Sequence, residues 1–266
     1  MRFLCPNCKQ FLTKIDNTYK CPNGHSFDIS KEGYTNLIIS NAKKTNNPGD
    51  NKEMCLARKD FLNAGYYKGL SDEINAIIHK KHAQNIIDVG CCEGYYTHIL
   101  DKYLLYPHTI VGIDISKDSI KLASKKQDNC SYIVGSVKDI PVEDNSVDVI
   151  INNFAPHNIP EFCRVLKDDG ILIKVTPAKE HLLGLKQVLF DNVILKDAED
   201  YLQGLEVVEN KVLTYNIDVT EDNIFNLLKM TPFYYKSNIE NQGKLKMIKA
   251  LSTLVSFRIV IYKKST

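Results

Sequence analysis

Four potential metal ligands stand in two pairs near the start of the sequence: Cys5 with Cys8, and Cys21 with His25. Each pair encloses a proline and residues that favour tight turns, so both side chains of a pair can face one point. Three thiolates and one imidazole are a donor set for tetrahedral zinc, with no position left for a reacting water. A redox pair or a chance cluster is the alternative, but two pairs at this spacing favour a structural metal. The sequence therefore predicts a small module that folds around zinc.

A second pattern that could carry chemistry occupies residues 85–96, NIIDVGCCEGYY. Its apolar first half predicts a strand that contains Asp88, and a tight turn from Gly90 to Gly94 predicts the start of a helix. A strand that leads through such a turn into a helix forms a nucleotide-binding crevice at its carboxyl end. Asp114 ends the next predicted strand, where a carboxylate suits a ribose diol. The two stretches together predict a cofactor site.

This spacing of an aspartate, two glycines and a second aspartate resembles the cofactor motif of class I S-adenosylmethionine (SAM) methyltransferases. The resemblance implies that Asp88 orients the methionine end of SAM through the turn and that Asp114 binds its ribose. Cys92 departs from the motif, because it stands where the family usually has its middle glycine. Glycine there permits close backbone contact and unusual dihedral angles. We expect cysteine to keep the first property and to lose the second, with a side chain that either points away from the ligand or narrows the approach to its methionine moiety.

Short apolar strands that alternate with helices must position these residues. Between residues 85 and 189 the alternation predicts a parallel, doubly wound sheet with right-handed crossovers. After residue 204 the pattern changes, and two strands around a helix predict a terminal antiparallel pair. The predicted fold class is α/β, a doubly wound, seven-stranded class I methyltransferase (Rossmann-like) domain with a small N-terminal zinc-binding module. Its predicted strands are 86–89, 109–113, 131–134, 147–152, 171–175, 205–215 and 255–262.

Two helices are predicted before the first core strand, at residues 53–64 and 67–82, and we expect this hairpin to cover the cofactor crevice. The polar stretch 41–50 is typical of an exposed connector. Lys43 and Lys44 in this stretch could contact phosphate, although a solvated linker explains them equally well.

Positive charge is concentrated at the front of the chain. The net charge is +2, but residues 1–60 contain ten Lys/Arg and six Asp/Glu. This excess fits an anionic partner bound by the N-terminal part, or a solvated linker. No apolar run approaches the roughly 20 residues that span a bilayer, and no leader argues for export, so we expect a cytoplasmic protein. Four further cysteines are expected to be buried small hydrophobes: Cys55, Cys91, Cys130 and Cys163.

Short segments spread along nearly the whole chain point to one family. Besides the two ligand pairs, they are residues 31–37, 48–50, 57–58, 61–65, 94–98, 155–156, 176–177, 181–182 and 230–233. Together they resemble the bacterial 23S rRNA (guanine-N1)-methyltransferases of the RlmA type. The resemblance implies SAM as methyl donor, a guanine in a 23S rRNA hairpin as acceptor, and a homodimer whose two zinc modules flank an RNA cleft. It implies structural Zn²⁺ on Cys5, Cys8, Cys21 and His25.

The resemblance also assigns roles to particular residues. By motif match, SAM contacts fall on Tyr67, on Cys92 and Glu93 in the turn, and on His181. It divides the chain into a zinc-binding RNA-recognition module (1–36), a linker with the helical hairpin that covers the cofactor site (37–84), and the SAM-dependent methyltransferase domain (85–266).

Class I enzymes place groups that contact the methyl acceptor at the end of the fourth core strand. In this sequence Phe154 could stack on the target guanine there and Asn153 could bond to its edge, with Pro156 as the third candidate of the pocket. No residue is a convincing general base. His157 is more simply a bystander and His181 suits a cofactor contact, so we expect the proton of guanine N1 to leave through water.

Three functions are compatible with these patterns. An rRNA guanine-N1 methyltransferase accounts for the whole chain, and it is the preferred hypothesis. A small-molecule SAM-dependent methyltransferase with a fused zinc module shares the core, but it gives no role to the basic residues Lys43, Lys44, Arg58 and Lys59. A non-catalytic RNA-binding protein would result if Cys92 prevented SAM binding.

Overall fold

The computed structural model describes residues 1–39, 49–195 and 202–265. Lys43, Lys44 and Pro48, which belong to the predicted connector, lie outside the described residues. The N-terminal part contains a small antiparallel sheet of three strands, β1 (Thr13–Ile15), β2 (Thr18–Lys20) and β3 (Ser26–Asp28), in the order β1–β2–β3. A strand of two residues follows, β4 (Thr35–Asn36).

The predicted helical hairpin and the alternation of strands and helices come next. Their bounds are α1 (Lys52–Asn63), α2 (Lys68–Lys81), β5 (Asn85–Val89), α3 (Tyr95–Tyr103), β6 (Thr109–Asp114), α4 (Lys117–Ala123), β7 (Ser131–Val134), β8 (Val147–Asn153), α5 (Ile159–Val165), β9 (Leu166–Pro177), α6 (Leu183–Leu189), β10 (Leu205–Thr220), α7 (Glu221–Lys229), α8 (Phe233–Lys236), α9 (Ile239–Leu245) and β11 (Ala250–Lys264). The described helices include none that is long and apolar enough to cross a bilayer.

The main sheet has the strand order β10-β11-β9-β8-β5-β6-β7-β4. Strands β6 and β8 flank β5 on opposite sides, and both run parallel to it. The carboxyl end of β5 is therefore a topological switch point, where open α/β sheets form a ligand crevice. Strand β11 lies antiparallel between β9 and β10, as predicted for the terminal pair.

The seven predicted strands are all present, but the sheet has eight. The additional strand is β4, which pairs parallel to β7 with Thr35 opposite Ile133. Helix α6 begins only at Leu183, because Leu182 adopts a left-handed conformation with φ 57° that no α-helix can contain. Helices α8 and α9 were not predicted, since they have only 4 and 7 residues and carry little periodic signal.

Two apolar clusters cover the faces of the main sheet. Neighbouring residues of β5 belong to different clusters, because successive side chains of a strand point to opposite faces. Ile86 packs with α1, α2 and α3, whereas Ile87 packs with Phe162 of α5. Of the cysteines expected to be buried, Cys55 and Cys91 are, while Cys130 and Cys163 are only half-buried.

The N-terminal module is fastened to the loop between β7 and β8. A β-bridge joins Phe3 to Val142. The Arg2 guanidinium lies 2.8 Å from the Glu143 carboxylate, and Lys9 Nζ lies 2.7 Å from Asp139 Oδ2. These exposed ion pairs contribute little energy singly, but with the bridge and with β4 they give the module several separate attachments.

Candidate functional site

The four N-terminal ligand residues converge on one point. All four ligand atoms lie within 4.8 Å of one another. The Sγ atoms of Cys8 and Cys21 are 3.6 Å apart, and His25 Nδ1 lies 3.5 Å from Cys5 Sγ and 3.3 Å from Cys21 Sγ. Zinc–thiolate bonds of about 2.3 Å in a tetrahedron separate the ligand atoms by about 3.8 Å, so these distances fit zinc.

The pKa values of the Cys8 and Cys5 thiols also suit a metal centre. The backbone N–H of Gln10 lowers the pKa of Cys8 to about 6, so this thiol readily forms the thiolate that binds metal. Burial raises the pKa of Cys5 to about 11. Metal binding must therefore release the Cys5 proton, which couples zinc affinity to pH.

Glycines shape the turn that follows β5. The Gly90 N–H donates to the Ile113 carbonyl at 2.7 Å, and a Cβ on Gly90 would lie 2.4 Å from the Ala155 side chain. Gly94 has φ 76° and begins α3, where a Cβ would come within 2.9 Å of Ala123. Both positions exclude larger residues, and Gly90 brings the turn into contact with the loop after β8.

Cys92 has φ 51°, in the left-handed region that favours glycine. The expectation that cysteine loses this conformation is wrong. Its N–H donates to Asp114 Oδ2 at 3.0 Å, and its Sγ lies 2.7 Å from Arg58 Nη1 on α1. Cysteine thus occupies a backbone conformation that favours glycine, and its side chain is directed at helix α1.

The two motif aspartates are held in different ways. Asp88 is buried and accepts a hydrogen bond from the Thr97 hydroxyl at 2.6 Å, which connects β5 to α3. Burial raises the pKa of Asp88 to about 7. Asp114 accepts from the N–H groups of Cys92 and, at 2.7 Å, Ser116, so it fixes the turn and the next loop together.

Glu93 carries the unsatisfied charge of the crevice. It is 1% exposed, and neither carboxylate oxygen has a hydrogen-bond partner among the described residues. Burial raises its pKa, while the nearby Arg58 and the backbone N–H groups of Glu93 and Tyr95 oppose that shift. A buried carboxylate with so few partners is costly unless a ligand supplies further donors. The ammonium and hydroxyl groups of SAM are such donors, so the residues present fit this cofactor.

Aromatic residues gather opposite the turn around His181. Its Nδ1 accepts from the Ser256 N–H at 3.2 Å, and its Nε2 faces the Tyr67 hydroxyl at 3.4 Å. Burial, together with the charge of Lys186, lowers the pKa of His181 to about 3. The imidazole is therefore neutral, and its Nδ1 lone pair is already engaged. His181 cannot serve as a general base in this arrangement.

The loop after β8 places the acceptor candidates beside His181. Phe154 has φ 54° and is 44% exposed, and its ring centroid lies 5.7 Å from that of His181. The Asn153 Oδ1 is buried without a partner among the described residues. Asn152 donates to the Pro156 carbonyl at 3.0 Å and holds the loop closed. Pro156 and His157 are exposed.

Two residues of the crevice were missed from the sequence. Arg58 contacts the turn from α1, and Tyr96 on α3 lies beside the Asn153 side chain. Both belong to segments that carried the family resemblance. Tyr96 had no predicted role, and Arg58 was counted among the basic residues that suit an anionic partner, whereas its side chain is only 17% exposed. The structure thus brings Tyr67, the turn, Asp114, His181 and the acceptor loop to one edge of the sheet, while the metal ligands form a separate centre.

Comparison with known proteins covers both centres. A family model described as a methyltransferase domain matches residues 80–249, and a model of the RlmA N-terminal domain, a zinc ribbon, matches residues 3–46. A putative 23S rRNA (guanine-N(1)-)-methyltransferase of Bacillus subtilis is 30% identical, over 97% of this chain and 96% of that protein. The 23S rRNA (guanine(748)-N(1))-methyltransferase of Streptomyces fradiae is 29% identical, over 87% of this chain and 85% of that protein.

Relatives named for a small-molecule substrate match less of the chain. A demethylmenaquinone methyltransferase of Staphylococcus aureus is 26% identical over 43% of this chain and 56% of its own length. The match to the rRNA enzymes, in contrast, runs through the zinc ribbon and the catalytic domain alike. The chain belongs to the RlmA-type family of 23S rRNA (guanine-N1)-methyltransferases, class I SAM-dependent enzymes with an N-terminal zinc ribbon.

Proposed function

We propose that this enzyme transfers the methyl group of SAM to N1 of a guanine in a hairpin of 23S rRNA. The observation that carries the proposal is the 30% identity to a relative of that name over 97% of this chain. A small-molecule enzyme would need only the catalytic domain, and the relative with such a substrate matches less than half of the chain. An rRNA substrate also accounts for a zinc ribbon fixed beside the catalytic domain and implies a cytoplasmic enzyme.

On this proposal the turn after β5 forms the donor site. Gly90, Cys92 and Gly94 give the backbone its close approach to the ligand, and Asp88 holds the turn against α3. Asp114 binds the ribose hydroxyls and Glu93 receives hydrogen bonds from donor groups of the cofactor, as its unsatisfied oxygens support. Tyr67 and His181 enclose the methionine end from the opposite side. When bound, SAM supplies an electrophilic methyl group on its sulfonium.

The acceptor site on this proposal is the loop after β8. Phe154, exposed at the rim, stacks on the extruded guanine, and the free Asn153 Oδ1 accepts a hydrogen bond from its edge. The Pro156 carbonyl, which accepts a hydrogen bond from Asn152, stabilises the conformation of the loop. These contacts hold N1 in line with the methyl group, and such positioning supplies most of the rate enhancement in this kind of transfer.

Guanine N1 carries a proton at neutral pH that must leave as the N–CH₃ bond forms and the C–S bond breaks. His181 cannot take it, because its Nδ1 is occupied and its pKa is lowered to about 3. Burial raises the pKa of Tyr96 well above its ordinary value, so its hydroxyl stays protonated. We infer that the proton passes to water at the exposed rim of the pocket.

We also propose the division of labour within the chain and its assembly. Residues 1–36 recognise RNA, residues 37–84 connect and cover the cofactor site, and residues 85–266 carry out the transfer. Two copies form a homodimer whose zinc modules flank the RNA. The structural zinc on Cys5, Cys8, Cys21 and His25 maintains the fold of the module and takes no part in the chemistry.

The test is transfer of a tritiated methyl group from SAM to 23S rRNA that lacks the modification. Primer extension then maps the product, because methylation of N1 blocks pairing and stops the polymerase. Incorporation at a single hairpin guanine is the expected result. Absence of label at any guanine N1, with zinc-loaded enzyme that binds SAM, would overturn the proposal.

A further inference from the structure

Helix α1 lies across the turn after β5 (residues 90–94), which is called the donor turn below because it forms the proposed site of the methyl donor. One charged side chain of α1, that of Arg58, points into this turn. The helix is fixed over the crevice by the Ser116 hydroxyl, which donates to the Asp50 carbonyl at 2.7 Å, and by Cys55 Sγ, 2.9 Å from Ser119 Oγ. From this position Arg58 reaches Cys92, and its side chain is only 17% exposed. A buried guanidinium in a ligand crevice demands an explanation, because burying a charge is costly.

Three protein groups hold the Arg58 guanidinium. Its Nη1 donates to Asp50 Oδ2 at 2.6 Å and to Cys92 Sγ at 2.7 Å, and its Nη2 donates to the Met230 carbonyl at 3.3 Å. Among the described residues, no hydrogen bond is formed by its Nε–H. Because arginine has five N–H donors, the Nε–H and one Nη2–H are left for another acceptor. Nε and Nη2 share one edge of the guanidinium, and such an edge can bind a carboxylate.

The charges around the turn indicate which group of SAM the remaining N–H groups of Arg58 could bind. Acidic groups dominate, with Asp50, Glu93 and Asp114 close to the turn. They suit the ammonium and the sulfonium of SAM, but its carboxylate needs a cation. Two cations lie near Glu93, Arg58 and Lys126. Only Arg58 is hydrogen-bonded to the turn itself.

We propose that Arg58 is the residue that binds the carboxylate of the amino-acid end of SAM, with Asp50, Cys92 and Met230 holding its guanidinium in place. This assignment rests on the proposed function, since it requires SAM in the crevice. It also gives Cys92 a purpose that glycine could not fulfil, because the thiol is one of the three groups that orient the guanidinium.

The experiment is calorimetry on the zinc-loaded, full-length protein with two ligands, SAM and decarboxylated SAM. The second ligand keeps the adenosine, sulfonium and ammonium groups and lacks only the carboxylate. For Arg58→Ala we expect SAM affinity to fall about 10- to 100-fold, the usual effect of losing hydrogen bonds to a charged group. Affinity for decarboxylated SAM should stay within about threefold of the wild type. Arg58→Lys should recover part of the lost affinity, because lysine keeps the positive charge but lacks the planar group with two neighbouring N–H donors.

Two further variants serve as matched controls. Lys59→Ala removes the same charge one position along α1 and should leave both affinities unchanged. Lys126→Ala tests the other cation, and selective loss of SAM affinity in that variant, with Arg58→Ala unaffected, would overturn the assignment. Equal loss of both ligands in Arg58→Ala and Arg58→Lys would also overturn it, because the residue would then only support the turn.

Folding and donor binding are checked separately. Zinc content and a thermal melt establish that each variant is folded, and if Arg58→Ala is not, the ratio of the two affinities in Arg58→Lys decides the question. Failure of the wild type to bind SAM at all would contradict the proposed function, and is thereby distinguished from an unselective effect at Arg58.

Discussion

The Arg58 guanidinium lies 2.7 Å from the thiol of Cys92, the residue that replaces a glycine in the donor turn. The contact explains how a side chain is accommodated there, since it is directed at α1 and not along the backbone that faces the crevice. The left-handed φ of 51° is nevertheless unfavourable for a residue with a Cβ. The turn therefore combines a strained backbone with a side-chain contact that glycine cannot make.

Comparing Cys92→Gly with Cys92→Ala separates these two effects. Both variants lose the contact with Arg58, but only alanine retains the Cβ in the left-handed region. We expect Cys92→Gly to be more stable than Cys92→Ala by about 0.5–1 kcal/mol, after the greater flexibility of unfolded glycine is allowed for. Urea denaturation measures the difference, and an alanine variant that equals or exceeds the glycine variant would show that the turn is unstrained.

Removal of zinc should unfold the N-terminal module and spare the catalytic domain. In His25→Ala, which lacks one of the four ligands, we expect loss of bound zinc and rapid hydrogen exchange over residues 1–36. Affinity for SAM should change less than about threefold, because the donor turn contains no metal ligand. His157→Ala, at an exposed histidine outside the metal centre, should keep its zinc. Loss of SAM binding along with the metal would contradict the independence of the two centres.

Asn153→Ala tests the acceptor pocket. Its Oδ1 has no partner among the described residues, so we expect this oxygen to bond to the incoming base. Truncation also removes the contact of the Asn153 side chain with Tyr96. The rate of methyl transfer should fall about 10- to 100-fold, as for the loss of one buried hydrogen bond, with SAM affinity unchanged. Asn129→Ala, at an exposed asparagine, should retain full activity. Equal rates in the two variants would exclude Asn153 from base recognition.

The buried Asp88 should make stability depend on pH. Its pKa is about 7 in the folded protein, against an ordinary value of 3.8. Between these values the folded state holds a proton that the unfolded chain has lost, so the free energy of unfolding falls as the pH rises through this window. Asp88→Asn cannot titrate and still accepts the Thr97 hydrogen bond.

Urea denaturation of both proteins at pH 5, 6, 7 and 8 checks this expectation. The free energy of unfolding of the wild type should fall relative to that of Asp88→Asn as the pH rises to about 7. Above that pH the difference between the two proteins should stay constant. Both proteins carry the same zinc centre, so its own pH dependence cancels in the difference. A difference that is constant across the range would mean that Asp88 is ionised in the folded state throughout.

The donor turn and the metal centre could be predicted because both depend on local spacing. Two ligand pairs at fixed separation specify a metal, and an apolar run before Gly90 specifies a strand and a turn. What could not be predicted depends on contacts between distant segments. The backbone conformation of Phe154 and of Leu182 is one example: both are bulky residues in a left-handed conformation, which local preference disfavours and only tertiary packing can impose.

Arg58 illustrates the same limit for a side chain. An arginine on an amphipathic helix is usually exposed to solvent, so sequence periodicity gives no reason to place it in a crevice. Its partners lie 8, 34 and 172 positions away along the chain. The two residues of β4 are likewise too few to show any periodic pattern, and their pairing with β7 exists only because the folded sheet presents a free edge.

The strand β4 joins the chain that leaves the zinc ribbon directly to the edge of the catalytic sheet. The bridge from Phe3 to Val142 attaches the other end of the ribbon to the loop between β7 and β8, so the ribbon is attached to the catalytic domain at both ends. These attachments fix the distance between the ribbon and the loop that carries Phe154. If the ribbon binds the RNA, as we propose, the target guanine has to lie at that distance from the bound segment. We then expect an added or deleted base pair between the two contact points to abolish methylation even with the target sequence intact.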